Sequence, residues 1–198
     1  MRVLFLTGPM RAGKSSIARA ISHKYADHSV IDIDEIAMNI APNTLSDDKD
    51  RSGLINDYIK NIFAANIKND VHTIIPHHCL PGVSAATVRM PWPDVIERYA
   101  EKLPVDELID LLHYDEADYF IYNITTEPER LHERNNGYYP DFVIKRCIES
   151  SAYFSTKRGC AVPLGNETPD EAADMIMSLL HGGKGRIIRQ ALSGARSK

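Results

Sequence analysis

The stretch Gly8-Pro9-Met10-Arg11-Ala12-Gly13-Lys14-Ser15 follows an apolar run, Val3-Leu4-Phe5-Leu6, and opens into a helical pattern near Ser16. Its spacing is G-x-x-x-x-G-K-[ST], set between a strand and a helix as a phosphate-binding loop requires. A chain turning from a strand into a helix N-terminus points several backbone N–H groups into one concavity. Glycines keep side chains out of that space, and the helix dipole adds positive charge, so a polyphosphate fits. With glycine at about 7% of residues, four such positions coincide by chance in roughly one chain in a hundred of this length. The flanking strand and helix lower those odds further. Gly8, Arg11, Ala12, Gly13, Lys14, Ser15 and Ser16 are therefore the residues expected against a nucleotide. Lys14 would reach its β and γ phosphates, and the Ser15 hydroxyl would join a Mg²⁺ shell.

A chain of 198 residues suits one domain with a substantial core. The net charge of −4 argues against general affinity for nucleic acid. Cys79, Cys147 and Cys160 are odd in number, far apart and in no C-x-x-C pattern, which fits a reducing compartment. The apolar N-terminal run is too short for a leader, and no run approaches membrane-spanning length. A cytoplasmic protein is the expectation.

Along the chain, short apolar strands are expected at 2–6, His28 to Asp34, Val71 to Ile75, Tyr119 to Ile124 and Cys160 to Leu164. Helical patterns cover Gly13 to Tyr25, Gly53 to Lys68, Asp94 to Lys102, Val105 to His113, Pro140 to Tyr153 and Asp170 to Leu180. Another helix starts at Thr125-Thr126-Glu127-Pro128-Glu129, a cap followed by proline and acid. Ala41 to Asp50 reads as a polar loop or helix start, and His77 to Pro93 as loop and turns. Strands alternating with helices imply a parallel sheet covered on both faces, with ligands at the carboxyl ends of its strands. That puts the phosphate loop, Asp32, Asp34 and His77 along one edge.

The second strand, Ile31-Asp32-Ile33-Asp34-Glu35, separates the possible uses of a bound nucleotide. Here the chain resembles the small P-loop kinases related to shikimate, gluconate, adenylate and polynucleotide kinases. The resemblance implies a three-layer α/β fold with a five-stranded parallel sheet in the order 2-3-1-4-5 and a lid. It also implies a kinase domain over 1–182, with the lid around 130–146. Residues 183–198 carry Lys184, Arg186, Arg189, Arg196 and Lys198 with no acid, a basic tail that reads as a free, solvated terminus or as a contact for nucleic-acid phosphates. Asp34 would touch the acceptor hydroxyl as orienter or general base, and Asp32 would help hold Mg²⁺ through water. On an extended strand the two carboxylates would share a face. A pair of solvated acids or helix caps is the plainer alternative.

The resemblance extends to Thr125 through Arg134, similar to a fourth strand and lid-entry helix. It implies that Arg134, and after it Arg130, closes over the phosphates, while Arg146 could come from the lid's far side. Each arginine also fits a surface ion pair. Gly165-Asn166-Glu167-Thr168-Pro169 resembles a loop lying against adenine, which brings in Asn166; a plain helix cap reads equally well. His77 and Arg89 are candidates for the acceptor side, and Trp92 for an acceptor wall or simply the core. Adjacent His77 and His78 point oppositely on an extended chain and make a poor shared metal site.

The function expected is ATP- and Mg²⁺-dependent transfer of a γ-phosphate to a hydroxyl or phosphate acceptor, a nucleoside or nucleotide first among small molecules. Lys14, Asp34 and Arg134 would carry the chemistry. The alternatives are a kinase acting on a DNA or RNA hydroxyl, suggested by the basic tail, and a P-loop ATPase or regulator without a small acceptor. A GTPase is disfavoured, because no N-K-x-D base-reading motif occurs. Motifs for shikimate or adenylate acceptors are missing after the third strand, so the acceptor's identity does not carry over.

Overall fold

The first strand is apolar on both sides because it runs through the middle of the molecule. In the computed structural model, which describes residues 1–40, 48–77, 81–82, 87–154 and 157–187, β1 (Arg2–Thr7) pairs in parallel with β3 (His72–Pro76) and β4 (Asp118–Thr126). β2 (His28–Val30) lies outside β3, and β5 (Cys160–Leu164) outside β4. The sheet is five-stranded in the order β2-β3-β1-β4-β5, as the resemblance implied.

Alternate residues of β1 feed two cores. Leu4 and Leu6 face a layer built from α1 (Lys14–Lys24), α6 (Pro128–Asn135), α7 (Asp141–Phe154) and α8 (Pro169–His181), through Ile17, Ile21, Leu131, Ile144 and Ile176. Val3 and Phe5 face the opposite layer, where α3 (Asp48–Lys68) supplies Ile59 and Phe63 and α5 (Pro104–Leu111) supplies Val105 and Ile109. Trp92, at the start of α4 (Trp92–Arg98), packs against the same side. Each fully buried large side chain contributes about 1.5–3 kcal/mol, so the alternation fixes the strand's register. Phe5 stacks on Tyr119 with ring centroids 6.3 Å apart, and the Tyr119 hydroxyl donates to the Leu112 carbonyl at 2.9 Å.

Helix ends follow local chemistry. Thr168 and Glu171 form a reciprocal capping box at α8, the plainer of the two readings for that loop. Asp106, almost fully buried, accepts from the Leu103 N–H at 2.9 Å and pairs with Arg158 at 3.4 Å, which closes the start of α5.

Three readings need correction. The second strand stops at Val30, and α2 (Ile33–Asn39) begins where the sequence pattern suggested more strand. Asp32 is its N-cap: the carboxylate accepts from the N–H groups of Asp34 at 3.2 Å and Glu35 at 3.3 Å. Asp32 and Asp34 therefore do not share a strand face. The start of the basic tail is docked rather than free. Ile121 N–H donates to the Gly185 carbonyl, Ile187 N–H to the Tyr119 carbonyl, and Arg186 pairs with Asp118. Finally, His77 to Pro93 is not all loop and turns, because α4 already starts at Trp92. The loop expected over 41–47, His78, Cys79 and the tail beyond 187 lie outside the described residues. Among the described residues no helix is long and apolar enough to cross a membrane.

Two features give tests of the fold. Gly8 has φ +134°, and a Cβ there would lie 2.2 Å from the Ile124 carbonyl oxygen. Gly8→Ala is predicted to cost about 2 kcal/mol or more, a loss of roughly 4–8 °C in Tm on thermal denaturation. At the opposite sheet edge, His72 faces His28 with ring centroids 4.9 Å apart and accepts from the Arg2 N–H at 3.4 Å. Burial, then the neighbouring His28, lowers the pKa of the His72 imidazole. The folded protein thus binds the His72 proton more weakly than the unfolded chain. Its stability is fully present above the ordinary imidazole value of about 6.5 and falls as pH drops below it. Tm measured across that range should decline with acidification, and His72→Gln should flatten the decline.

Candidate functional site

β1 ends at Thr7, whose hydroxyl donates to the Asn123 side-chain carbonyl on β4. Asn123 in turn donates to the Arg158 carbonyl at 2.6 Å. This pins the point where the chain leaves the sheet. The loop then turns with positive φ at Gly8 (+134°), Arg11 (+64°) and Gly13 (+93°). Ala12 is buried beneath it, and Ala12 N–H donates to the Pro9 carbonyl at 3.3 Å. Gly13 is the N-cap of α1 and offers no side chain to the first turn, which also carries no acid. An eleven-residue helix therefore presents its N-terminal N–H groups and its dipole to the loop concavity without an internal anion.

The cations gather on the same concavity. Lys14 Nζ donates to the Pro9 carbonyl at 2.8 Å, folded back over the loop. Arg134, in the last turn of α6, approaches from the other side. Its Nη1 lies 3.5 Å from the Arg11 carbonyl, and a Cβ on Gly13 would sit 3.9 Å from it. Arg130, one turn earlier, donates to the Asn166 side-chain oxygen after β5, and its Nη1 is buried without a partner among the described residues. Sequence reasoning placed Arg130 and Asn166 at one site, and the structure brings them into contact.

Asp34 is exposed in the first turn of α2. Its charge reaches Tyr139: burial raises the pKa of that phenol first, Tyr138 adds to the rise, Arg11 opposes it, and Asp34 raises it further. His77 is half-buried, and its N–H donates to the Leu6 carbonyl at 3.0 Å, so it leaves the sheet beside β1. Ser15 is half-buried and Ser16 exposed, both in the first turn of α1. Arg89 stands apart from the loop, over the Phe142 ring at 5.3 Å.

Several participants had no motif to announce them. The Arg11 guanidinium lies over Tyr138 at 4.4 Å and near Tyr139 at 5.8 Å, a tether from the loop to the turn after α6. Two tyrosines directly after the Asn135-Asn136-Gly137 break were visible, but nothing in their spacing named a partner. Cys147 is buried against Met10 and Val143, which braces the loop on α7. Burial raises the pKa of its thiol.

Two clefts flank these elements. One, about 520 Å³, lies between α2 and α3, lined by Asp32, Glu35, Ile36, Asn39, Leu54 and Tyr58 among others. The second, about 430 Å³, lies between Val88-Arg89 and the α7 face carrying Phe142, Lys145, Arg146 and Glu149. Among the described residues there is no cluster of three or more His, Cys, Asp or Glu that could hold a metal ion by itself.

No family model matches the sequence, and none of the curated proteins matches it. Solved structures do match. A shikimate kinase from Aquifex aeolicus is 17% identical with a TM-score of 0.54, over 92% of this chain and 98% of that one. A tunicamycin resistance protein of Deinococcus radiodurans is 13% identical with a TM-score of 0.54, over 94% of this chain and 98% of that one. The APS kinase CysC of Mycobacterium tuberculosis, solved with AMPPNP and APS, is 14% identical with a TM-score of 0.50, over 91% and 97%. At such identities the likeness is one of architecture: the chain has the three-layer fold of the P-loop kinase superfamily.

Proposed function

We propose that this protein is a phosphotransferase that moves the γ-phosphate of ATP, with Mg²⁺, to a hydroxyl or phosphate of a small acceptor, a nucleoside or nucleotide first among them. The observation that carries the reading is the convergence of Lys14 and Arg134 on a loop that opens onto an uncapped helix N-terminus. That is a positively polarised cradle for polyphosphate with cations on two sides of it.

In this reading the loop N–H groups hold the β-phosphate, and Lys14 exchanges the Pro9 carbonyl for β- and γ-phosphate oxygens. Arg134 closes over the γ-phosphoryl group as negative charge shifts during transfer, where its forked donors suit three oxygens. Arg130 and Asn166 border the nucleotide between the lid helix and the loop after β5. Asp34 orients the acceptor oxygen and accepts its proton as that oxygen bonds to phosphorus, the bond to the β-phosphate oxygen breaks, and ADP is released. His77 and Arg89 are assigned to the acceptor side.

The residues present fit Mg²⁺. The ion keeps several waters and takes one or two protein oxygens beside the phosphates, so a dedicated cluster is not required. The Ser15 hydroxyl and the Asp32 carboxylate are the donors proposed. Asp32 uses one of its oxygens to cap α2, which would fix the carboxylate for a role through water. When bound, the ion would neutralise negative charge on the phosphates during transfer.

Transfer of labelled γ-phosphate to a panel of nucleosides, nucleoside monophosphates, polyols and oligonucleotides tests the reading. Lys14→Ala and Arg134→Ala should each lower kcat by about 10²–10³-fold. Asp34→Asn should abolish transfer while leaving ATP binding unchanged. Undiminished transfer in Asp34→Asn would remove that residue from the mechanism.

A further inference from the structure

The phosphate loop has three positions at positive φ, and they are not filled alike. Gly8 (+134°) and Gly13 (+93°) are glycines, whereas the third, at +64°, is Arg11. A residue with a Cβ is disfavoured in this left-handed region, and arginine lacks the short polar side chain that lets Asp70 (+51°) and Asn136 (+42°) tolerate it. Glycine would serve the turn at least as well. Whatever Arg11 contributes therefore comes from its side chain, against the preference of its backbone. That side chain is exposed and has no carboxylate partner among the described residues. Its guanidinium instead lies over the Tyr138 ring at 4.4 Å, with the Tyr139 centroid at 5.8 Å. The two rings meet edge to face, 4.8 Å apart. Their place is set without Arg11. The buried Asn135 side chain accepts from the Tyr139 N–H and donates to the Tyr139 carbonyl, both at 2.8 Å, and the Tyr138 N–H donates to the Asn135 carbonyl at 2.8 Å. The turn after α6 is thus a preformed aromatic rest for one cation.

We propose that the Arg11 side chain is a further γ-phosphate ligand of this site, positioned by the Tyr138–Tyr139 turn. Contact with a ring face occupies few of a guanidinium's N–H donors, so the group is steadied and still able to bind an anion. Arg134 Nη1 lies 3.5 Å from the Arg11 carbonyl, which sets both arginines on one rim of the loop. The inference rests on the reading of the loop as a nucleotide cradle. To Lys14 and Arg134 it adds a third cation, one that only a triphosphate can use. A diphosphate ends at the group held by the loop N–H groups and leaves Arg11 on its tyrosines. Arg11 therefore sets the preference of the site for ATP over the ADP that transfer leaves behind. Tyr138 and Tyr139 are positioning residues, which act through Arg11 and not on the ligand.

Calorimetric titration of the full-length protein with ADP and with the non-hydrolysable triphosphate AMPPNP, both with Mg²⁺, separates this role from a structural one. Arg11→Gly suits the backbone at +64° and should leave Tm unchanged or raised. It should weaken AMPPNP binding by about tenfold or more and ADP binding by less than about twofold. Tyr138→Leu, at an exposed side chain, should give a smaller loss, again confined to AMPPNP. Tyr138→Phe keeps the ring and should bind AMPPNP as the wild type does. Equal loss of the two nucleotides in Arg11→Gly, with a lower Tm, would make Arg11 a structural tether and overturn the proposal. So would unchanged AMPPNP affinity in that variant, a Tyr138→Phe variant as weak as Tyr138→Leu, or no AMPPNP binding by the wild type. Failure of the kinase reading shows on a different signal: no labelled transfer to any acceptor, with the selective loss of AMPPNP in Arg11→Gly still present.

Discussion

The passage of Gly8 beneath the Ile124 carbonyl is the constraint from which the site follows. Only a residue without Cβ can leave β1 that close to β4 at φ +134°. The tight exit lets the loop wrap back over Ala12 and deliver Gly13 to the start of α1 with no side chain capping its first turn. A wider turn would carry the helix N-terminus away from the carboxyl end of the sheet. The Thr7–Asn123 hydrogen bond secures the same junction from the polar side. Polarity and packing therefore converge within two residues of each other. The positive end of α1 faces the place where α6 brings Arg134.

The stability of that arrangement comes from elsewhere. β1 is buried on both faces, and its alternate side chains tie the two helical layers to one strand. The central strand and the loop it feeds are thus rigid, while most groups expected to meet a substrate stand on its rim. Asp34, Arg134 and Tyr138 are exposed, on α2, α6 and the turn after α6. Arg11 joins the loop to that turn through Tyr138, so the rim already touches the cradle it would cover.

The parts legible in the sequence were those with a short-range physical signature. The phosphate loop is a local turn with fixed glycines, and the strand order followed from resemblance to a superfamily whose crossovers are constrained by sheet twist. Arg130 and Asn166 were each read as facing a nucleotide, and their hydrogen bond to one another was not foreseen. The second strand was misread because Val30-Ile31-Asp32-Ile33-Asp34 alternates like a strand, while the Asp32 side chain can cap a helix equally well. Local capping won, and it moved Asp34 from a strand face to a helix turn. The cleft at Arg146 was illegible because its parts come from two segments far apart in the chain, Val88 to Trp92 and α7. Trp92 read as an acceptor wall or as core; it packs against the core, and nothing in the sequence announced the Arg146 guanidinium over its ring. The docked start of the C-terminal segment was hidden by its charge, since Arg186 reads as solvated until Asp118 is placed beside it.

The central claim is that the phosphoryl group moves to an acceptor rather than to water. Phosphorus NMR of the protein with ATP, Mg²⁺ and a mixture of nucleosides and nucleoside monophosphates follows both fates at once. The account predicts that the γ resonance decays in step with the appearance of ADP and a new phosphoester or phosphoanhydride signal. Decay to ADP and inorganic phosphate alone, or no decay at all, would contradict it.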